Sequence, residues 1–140
     1  MLKQTCLAGL FALMSSLTMA GPAEEGAAAI DRWVAAYNAN DLEALMKVYA
    51  PDAILQGTSE PQINVGTEDL RKYFRNLSRG GSSNAILERR IFVINETTVL
   101  GVGFYAFRGR PARFSFLAVK RGDEWLIAHH HSSSIPAGRP

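Results

Sequence analysis

The most regular hydrophobic pattern lies in the second half of the chain, where long apolar runs alternate with short polar turns. Four segments with strand-like composition and period cover residues 86–94, 97–108, 112–119 and 124–133. The last two flank a turn that contains Gly122 and Asp123, which predicts a β-hairpin. Because turns this short make neighbouring strands antiparallel, the pattern predicts four long antiparallel strands.

The first half of the chain follows a helical period. Apolar residues recur at spacings of three and four in three segments, so each predicted helix has one apolar face. These residues are Ile30, Trp33, Val34 and Tyr37, then Leu42, Leu45, Met46 and Tyr49, then Leu70, Tyr73, Phe74 and Leu77. Asp41 is placed to cap the second helix and Pro51 to end it. Short strands are predicted at 53–56 and 62–65. Helices followed by strands indicate an α+β fold with the helices on one face of a curved antiparallel sheet.

The first twenty residues fit neither pattern. Lys3 precedes an apolar run from Leu7 to Leu17, and the small residues around Ala20 form a cleavage site. The run is too short to span a membrane. We therefore predict a signal peptide at 1–20, one domain at 21–136 and a disordered tail at 137–140. The mature protein is expected to be periplasmic or secreted, without a membrane attachment.

Composition narrows the chemistry. The chain has 15 basic and 13 acidic residues, and this near-neutral balance argues against nucleic-acid binding. Its one cysteine, Cys6, lies in the leader, so no disulfide or thiolate metal site is expected. His129 and His131 are spaced as two imidazole ligands, but no third ligand is marked out, so we predict no metal site. We expect no cofactor, because no nucleotide-binding fingerprint is present.

Two segments resemble known families. The sequences DLEAL at 41–45 and YAPDA at 49–53 resemble small SnoaL-like proteins, and WLIAHHHSSSIP at 125–136 is similar to the association domain of calcium/calmodulin-dependent protein kinase II. Both belong to the nuclear transport factor 2-like superfamily. The resemblance implies a cone-shaped curved antiparallel sheet wrapped around three helices, a central cavity, and a homodimer or larger assembly.

The chain departs from the association domain inside the cavity. That domain lines its cavity with arginines, and the corresponding positions here are Phe104, Phe116 and Ser132. Phenylalanine offers apolar area where arginine offers a charged donor. The resemblance therefore implies a mainly apolar ligand cavity, lined by Tyr37, Phe104, Phe116, His130 and Ser132.

Strict alternation divides the last strand into two faces. Leu126, Ala128, His130 and Ser132 lie on one face, and the resemblance orients that face towards the cavity. The other face then lies on the outer surface of the sheet, where relatives dimerise. The predicted oligomer interface comprises Tyr105, Phe107, Trp125, Ile127, His129 and His131, with Leu117 beside them.

Two functions remain open from the sequence. The first is an exported, non-catalytic module that oligomerises and holds a small apolar ligand. The second is a cavity enzyme, an isomerase, cyclase or dehydratase on a small hydrophobic ketone, and it needs a base beside a hydrogen-bond donor. His130 and Asp52 are the candidate bases and Tyr49 the candidate donor, although a turn position favours a structural Asp52. The serines after His131 lack a nucleophile elbow, so we do not expect a hydrolase.

Overall fold

The computed structural model describes residues 20–77, 83–107 and 109–136. The predicted signal peptide, apart from Ala20, and the predicted tail lie outside these residues. The elements, in chain order, are α1 (Pro22–Asn38), α2 (Leu42–Val48), β1 (Tyr49–Gln56), β2 (Asn64–Val65), α3 (Gly66–Leu77), β3 (Asn84–Asn95), β4 (Thr98–Phe107), β5 (Arg110–Arg121) and β6 (Glu124–Ser134). The predicted order of three helices and six strands is confirmed.

The junction between α2 and β1 differs from the prediction at Tyr49. Asp41 caps α2 as predicted, because its carboxylate accepts a hydrogen bond from the Ala44 backbone N–H at 2.9 Å. The helix ends at Val48, and Tyr49 is the first residue of β1. The placement of Tyr49 on a helical stripe is therefore wrong. Pro51 disfavours helical backbone before it, so the chain becomes extended early.

The six strands form one sheet in the order β2-β1-β6-β5-β4-β3. Neighbouring strands are antiparallel except β1 and β6, which are parallel with Leu55 beside His130. The predicted α+β fold class is confirmed, and the prediction of a wholly antiparallel sheet is corrected at this pair. The rest of the domain separates β1 from β6 in sequence, so no short turn fixed their relative direction.

A β-bulge in β6 changes which side chains face the helices. Leu117 pairs with His129 and Ala118 pairs with Ile127, so Ala128 is an extra residue in the ladder. Trp125 and Ile127 are buried before the bulge, and His130 is buried after it. The prediction that Trp125 and Ile127 are exposed on the outer surface is therefore wrong, because strict alternation does not continue through a bulge.

The core lies between the helices and the side of the sheet that they cover, called here the inner face. Trp33 and Tyr37 of α1 pack among aromatic side chains from α3, β4 and β5, including Phe74 and Phe116. A Cβ atom at Gly101 would lie 2.4 Å from Ile30 Cδ1, so glycine allows α1 to lie close to β4. The opposite side of the sheet is called the outer face.

Within the described residues, no helix has both the length and the apolar character needed to cross a membrane.

Candidate functional site: a cavity on the inner face of the sheet

A cavity of about 560 Å³ lies between the helices and the inner face. This volume is in the range of small-molecule sites, about 300–1,000 Å³. Six aromatic side chains form a large part of its wall, and they are Trp33, Tyr37, Tyr73, Phe74, Tyr105 and Phe107. Tyr105 and Phe107, predicted at an outer interface, thus border the cavity, and Tyr105 is only 4% exposed. The predicted exposure of Tyr105 is therefore wrong.

A line of three hydrogen-bonded side chains lies at the buried end of the cavity. The indole Nε1–H of Trp33 donates to the Tyr49 hydroxyl oxygen at 2.7 Å. The same hydroxyl is 2.7 Å from Nδ1 of His130. These residues come from α1, β1 and β6, so the line joins the helical layer to the sheet. We call it the Trp33–Tyr49–His130 relay.

The direction of the relay follows from the chemistry of its first member. An indole N–H can only donate a hydrogen bond, so the Tyr49 oxygen accepts from Trp33. Burial raises the pKa of Tyr49 well above its usual value, and the phenol keeps its proton. His130 Nδ1 is the one acceptor that the described residues place beside the Tyr49 hydroxyl, so we assign the Tyr49 proton to a hydrogen bond with Nδ1. In a neutral imidazole with Nδ1 as acceptor, Nε2 carries the hydrogen.

His130 is held in an apolar environment. The side chain is 3% exposed, and the ring of Phe116 stacks on it with centroids 4.1 Å apart. Burial lowers the pKa of His130 to about 3, and the neighbouring imidazoles of His129 and His131 add to the effect. The imidazole is therefore neutral at physiological pH and is a weak base.

The second ring nitrogen of His130 has no hydrogen-bond partner among the described residues. Nε2 is buried, whereas Nδ1 is occupied by Tyr49. His130 lines the cavity and Tyr49 does not. A buried donor without a partner costs roughly 1–3 kcal/mol. An unused N–H group is therefore buried at the inner end of the cavity, in a side chain that lines it.

Hydroxyl groups line one wall between this inner end and the opening. Ser132 Oγ lies 2.5 Å from the Tyr105 hydroxyl and 2.7 Å from Thr58 Oγ1. Burial raises the pKa of Tyr105 to about 12, so this phenol is also neutral. The three hydroxyls hydrogen-bond to one another and form a continuous polar strip along the cavity wall.

Arg110 marks the opening of the cavity. It is exposed, and it is the one charged side chain among the described residues that line the cavity. Its position was not predicted from the sequence, because several cations lie around the start of β5 and no local pattern separates them. Trp33 was also missed as a site residue, since its spacing is that of an ordinary core position.

The predicted ligand-binding residues divide into two groups. Tyr37, His130 and Ser132 line the cavity. Phe116 is fully buried behind the His130 ring, and Phe104 is 39% exposed on the outer face, next in sequence to the inward-facing Tyr105. The structure brings the first three together and leaves Phe104 on the opposite side of the sheet. Phe104 was placed by a loose alignment through a glycine-rich strand.

The remaining candidates lie outside the cavity. Asp52 is exposed and forms an ion pair with Arg121 at 2.8 Å, and this hydrogen-bonded cation lowers the pKa of Asp52. His129 and His131 are half-exposed on the outer face. Within the described part of the chain, no group of three His, Cys, Asp or Glu side chains is placed to hold a metal ion.

Most of the chain matches one known domain family. A family model described as a SnoaL-like domain matches residues 27–138, which is most of the chain. The chain belongs to the SnoaL-like domain family. No protein with a curated description matches this SnoaL-like domain.

Solved structures with the same fold include a candidate calcium/calmodulin dependent protein kinase II association domain from Xanthomonas campestris. It shares 28% identity and a TM-score of 0.77, over 89% of this chain and 95% of that one. A candidate dehydratase of the NTF2-like family from Streptomyces avermitilis has 13% identity and a TM-score of 0.73, over 81% and 96%. An NTF2-like protein of unknown function from Pseudomonas putida has 15% identity and a TM-score of 0.72, over 79% and 84%. The last two likenesses concern the fold alone.

Proposed function

We propose that this SnoaL-like domain is an exported, non-catalytic protein that binds a small, mainly apolar molecule in the cavity and assembles with a second copy of itself. The observation that carries the proposal is the cavity on the inner face, with its aromatic side chains and the buried, unpaired Nε2 of His130. Such a site favours an apolar body that carries few polar groups.

The geometry favours binding over acid–base catalysis. A catalytic base works best when its pKa is close to the operating pH, and burial holds the pKa of His130 at about 3. Asp52, the other candidate base, pairs with Arg121 outside the cavity. None of the described residues that line the cavity is an Asp or Glu. The relay leaves Tyr49 donating to His130, so its hydroxyl is not offered to a ligand.

Self-assembly is supported by the outer face. One row of neighbouring residues crosses five strands of the sheet, and its members are Phe92, Leu100, Leu117, His129 and Ile54. Phe92 is 53% exposed and Ile54 is 40% exposed, so apolar area remains in contact with water. Exposed apolar area of this kind is typical of an interaction surface.

Export is supported by the sequence of the first twenty residues. We expect the mature protein, isolated from the cells that produce it, to begin at Gly21. An N-terminus at Met1 in the exported protein would contradict this part of the proposal.

Ligand binding in the cavity is tested with a variant that fills the cavity. Ala112 lines the cavity and is 8% exposed, so Ala112→Phe places a ring in the space that a ligand needs. With the neutral fluorescent probe N-phenyl-1-naphthylamine, we expect this variant to bind at least about tenfold more weakly than the wild type, as loss of an apolar contact of this size implies. The matched control is Ala85→Phe at an exposed position of β3, and it should bind normally. Equal affinity in all three proteins would contradict a ligand site in the cavity.

A further inference from the structure

We propose that the cavity selects ligands that bury a neutral hydrogen-bond acceptor, such as a ketone oxygen on an apolar body, and that His130 Nε2–H is the donor that recognises it. The inference rests on the proposed function, because it concerns the ligand of the same cavity. It adds that the ligand group at the inner end of the cavity is a hydrogen-bond acceptor and not a donor.

The relay, and not His130 alone, determines whether Nε2 donates or accepts a hydrogen bond. An isolated imidazole offers a donor or an acceptor at Nε2, depending on its tautomer. Here Trp33 donates to the Tyr49 oxygen, and His130 Nδ1 is the one acceptor that the described residues offer to the Tyr49 proton. Nε2 is then a donor in the resting protein. A ligand that presents an N–H group to this atom would place two donors against each other.

The ring is also held in one orientation. Phe116 stacks on one face at 4.1 Å, and Trp33 contacts the ring edge-on with centroids 5.0 Å apart. Turning the ring over would place a carbon atom against the Tyr49 hydroxyl and lose that hydrogen bond. The orientation that keeps the bond leaves Nε2 on the opposite edge of the ring, buried in a side chain that lines the cavity. A ligand reaches this atom by displacing the side chains that cover it.

The other polar groups of the cavity do not satisfy this donor. Ser132, Tyr105 and Thr58 hydrogen-bond to one another along the wall. The charge of Arg110 is at the exposed opening, and His130 is neutral. A carboxylate would therefore gain no opposite charge at the inner end, whereas a neutral carbonyl gains the hydrogen bond without bringing a charge out of water.

The experiment compares two probes of the same shape, 2-acetylnaphthalene and 2-ethylnaphthalene. The affinity ratio of ketone to hydrocarbon is measured in the wild type and in His130→Phe, which keeps an aromatic ring but removes the donor. Dividing the two ratios cancels the different water solubility of the probes. We expect the ratio to fall about tenfold in His130→Phe, the value of one buried hydrogen bond. His131→Phe, on the outer face, should keep the wild-type ratio.

Long-range proton–nitrogen NMR of the wild type provides a second test that needs no variant. We expect His130 to carry its proton on Nε2, and that proton to shift with the ketone and not with the hydrocarbon. In Tyr49→Phe the tautomer should no longer be fixed, and the ketone preference should fall.

A proton on Nδ1 in the wild type, or an unchanged affinity ratio in folded His130→Phe, would overturn the inference while leaving an apolar cavity intact. If His130→Phe does not fold, the ketone-dependent shift of the Nε2 proton decides. Failure of both probes to bind the wild type would instead overturn the proposed function, and the inference with it.

Discussion

The inner and outer faces of the same sheet place neighbouring histidines in different chemical environments. His130 is buried among aromatic rings, and its pKa is lowered to about 3. His129 and His131, on either side of it in sequence, are half-exposed on the outer face. Burial lowers the pKa of His129 as well, and the neighbouring His131 adds to the effect. The face of the sheet on which a residue lies, more than its type, determines its chemistry here.

Polar groups also have different kinds of partner on the two faces. On the inner face, the Trp33–Tyr49–His130 relay accounts for every polar side-chain atom of those residues except one, His130 Nε2. On the outer face, polar groups such as Asp52 and Arg121 pair in water, and apolar side chains remain exposed. The inner face is therefore suited to select a small ligand by a single hydrogen bond, and the outer face to contact a larger apolar surface.

The largest expected effect is a loss of folding stability as the pH falls. The folded-state pKa of His130 is far below the ordinary value, so the unfolded chain binds a proton first as the pH falls. The stabilisation is fully present above about pH 6.5 and is lost as the pH falls towards the folded pKa. Between about pH 6.5 and pH 4.5, we expect His130 to reduce the free energy of unfolding by about 2 kcal/mol. Urea titrations at several pH values measure this loss.

The matched comparison uses the two histidine-to-phenylalanine variants. His130→Phe should lose most of the pH dependence in that window, and His131→Phe should retain it. The hydrogen-bonded ion pair with Arg121 lowers the pKa of Asp52, so this carboxylate does not account for the slope in that window. If both variants keep the full wild-type slope, the burial of a neutral His130 is contradicted.

An effect of intermediate size is expected on dimerisation through the outer face. Leu117 lies near the centre of the apolar row that crosses the sheet, opposite Leu100 and His129. Leu117→Lys should weaken a dimer at least about tenfold, since a charge would be buried in the contact. The monomer should stay folded, because a half-exposed lysine can extend its ammonium group into water.

Sedimentation over a range of protein concentrations measures this effect, and Thr97→Lys in the exposed turn before β4 is the control. A wild-type protein that sediments as a monomer at micromolar concentration would remove the assembly part of the proposal. The cavity would be unaffected by that result.

The smallest effect is expected at the opening of the cavity. Arg110 is exposed there, and exposed charge pairs contribute about 0.2–1 kcal/mol. Arg110→Gln should therefore weaken binding of 1-anilinonaphthalene-8-sulfonate by about two- to fivefold at low salt. Binding of the neutral N-phenyl-1-naphthylamine should stay the same, and added salt should reduce the difference. Equal weakening of both dyes would indicate a change of shape instead of a lost charge.

Local patterns in the sequence were sufficient for most of the fold. Helical spacing gave the buried residues of α1, and the Asp41 cap gave the start of α2. The four long strands and their antiparallel order followed from the short turns between them. The resemblance to the association domain supplied the expectation of a cavity, and His130 and Ser132 do line it.

The rest depended on features that a local pattern does not contain. One extra residue at Ala128 reversed the facing of Trp125 and Ile127, and nothing in that apolar run marks a bulge. The relay joins residues that are 16 and 81 positions apart, so only the folded chain shows that Trp33, Tyr49 and His130 form one hydrogen-bonded line. Arg110 was missed because its position at the opening depends on how the β4–β5 turn sits over the cavity.

The most direct measurement is a crystal structure of the protein bound to 2-acetylnaphthalene. We expect the naphthalene rings within the aromatic wall of the cavity and the ketone oxygen within about 2.7–3.2 Å of His130 Nε2. A ligand on the outer face, or one in the cavity with its ketone oxygen directed to Arg110 and a carbon atom against Nε2, would contradict the account.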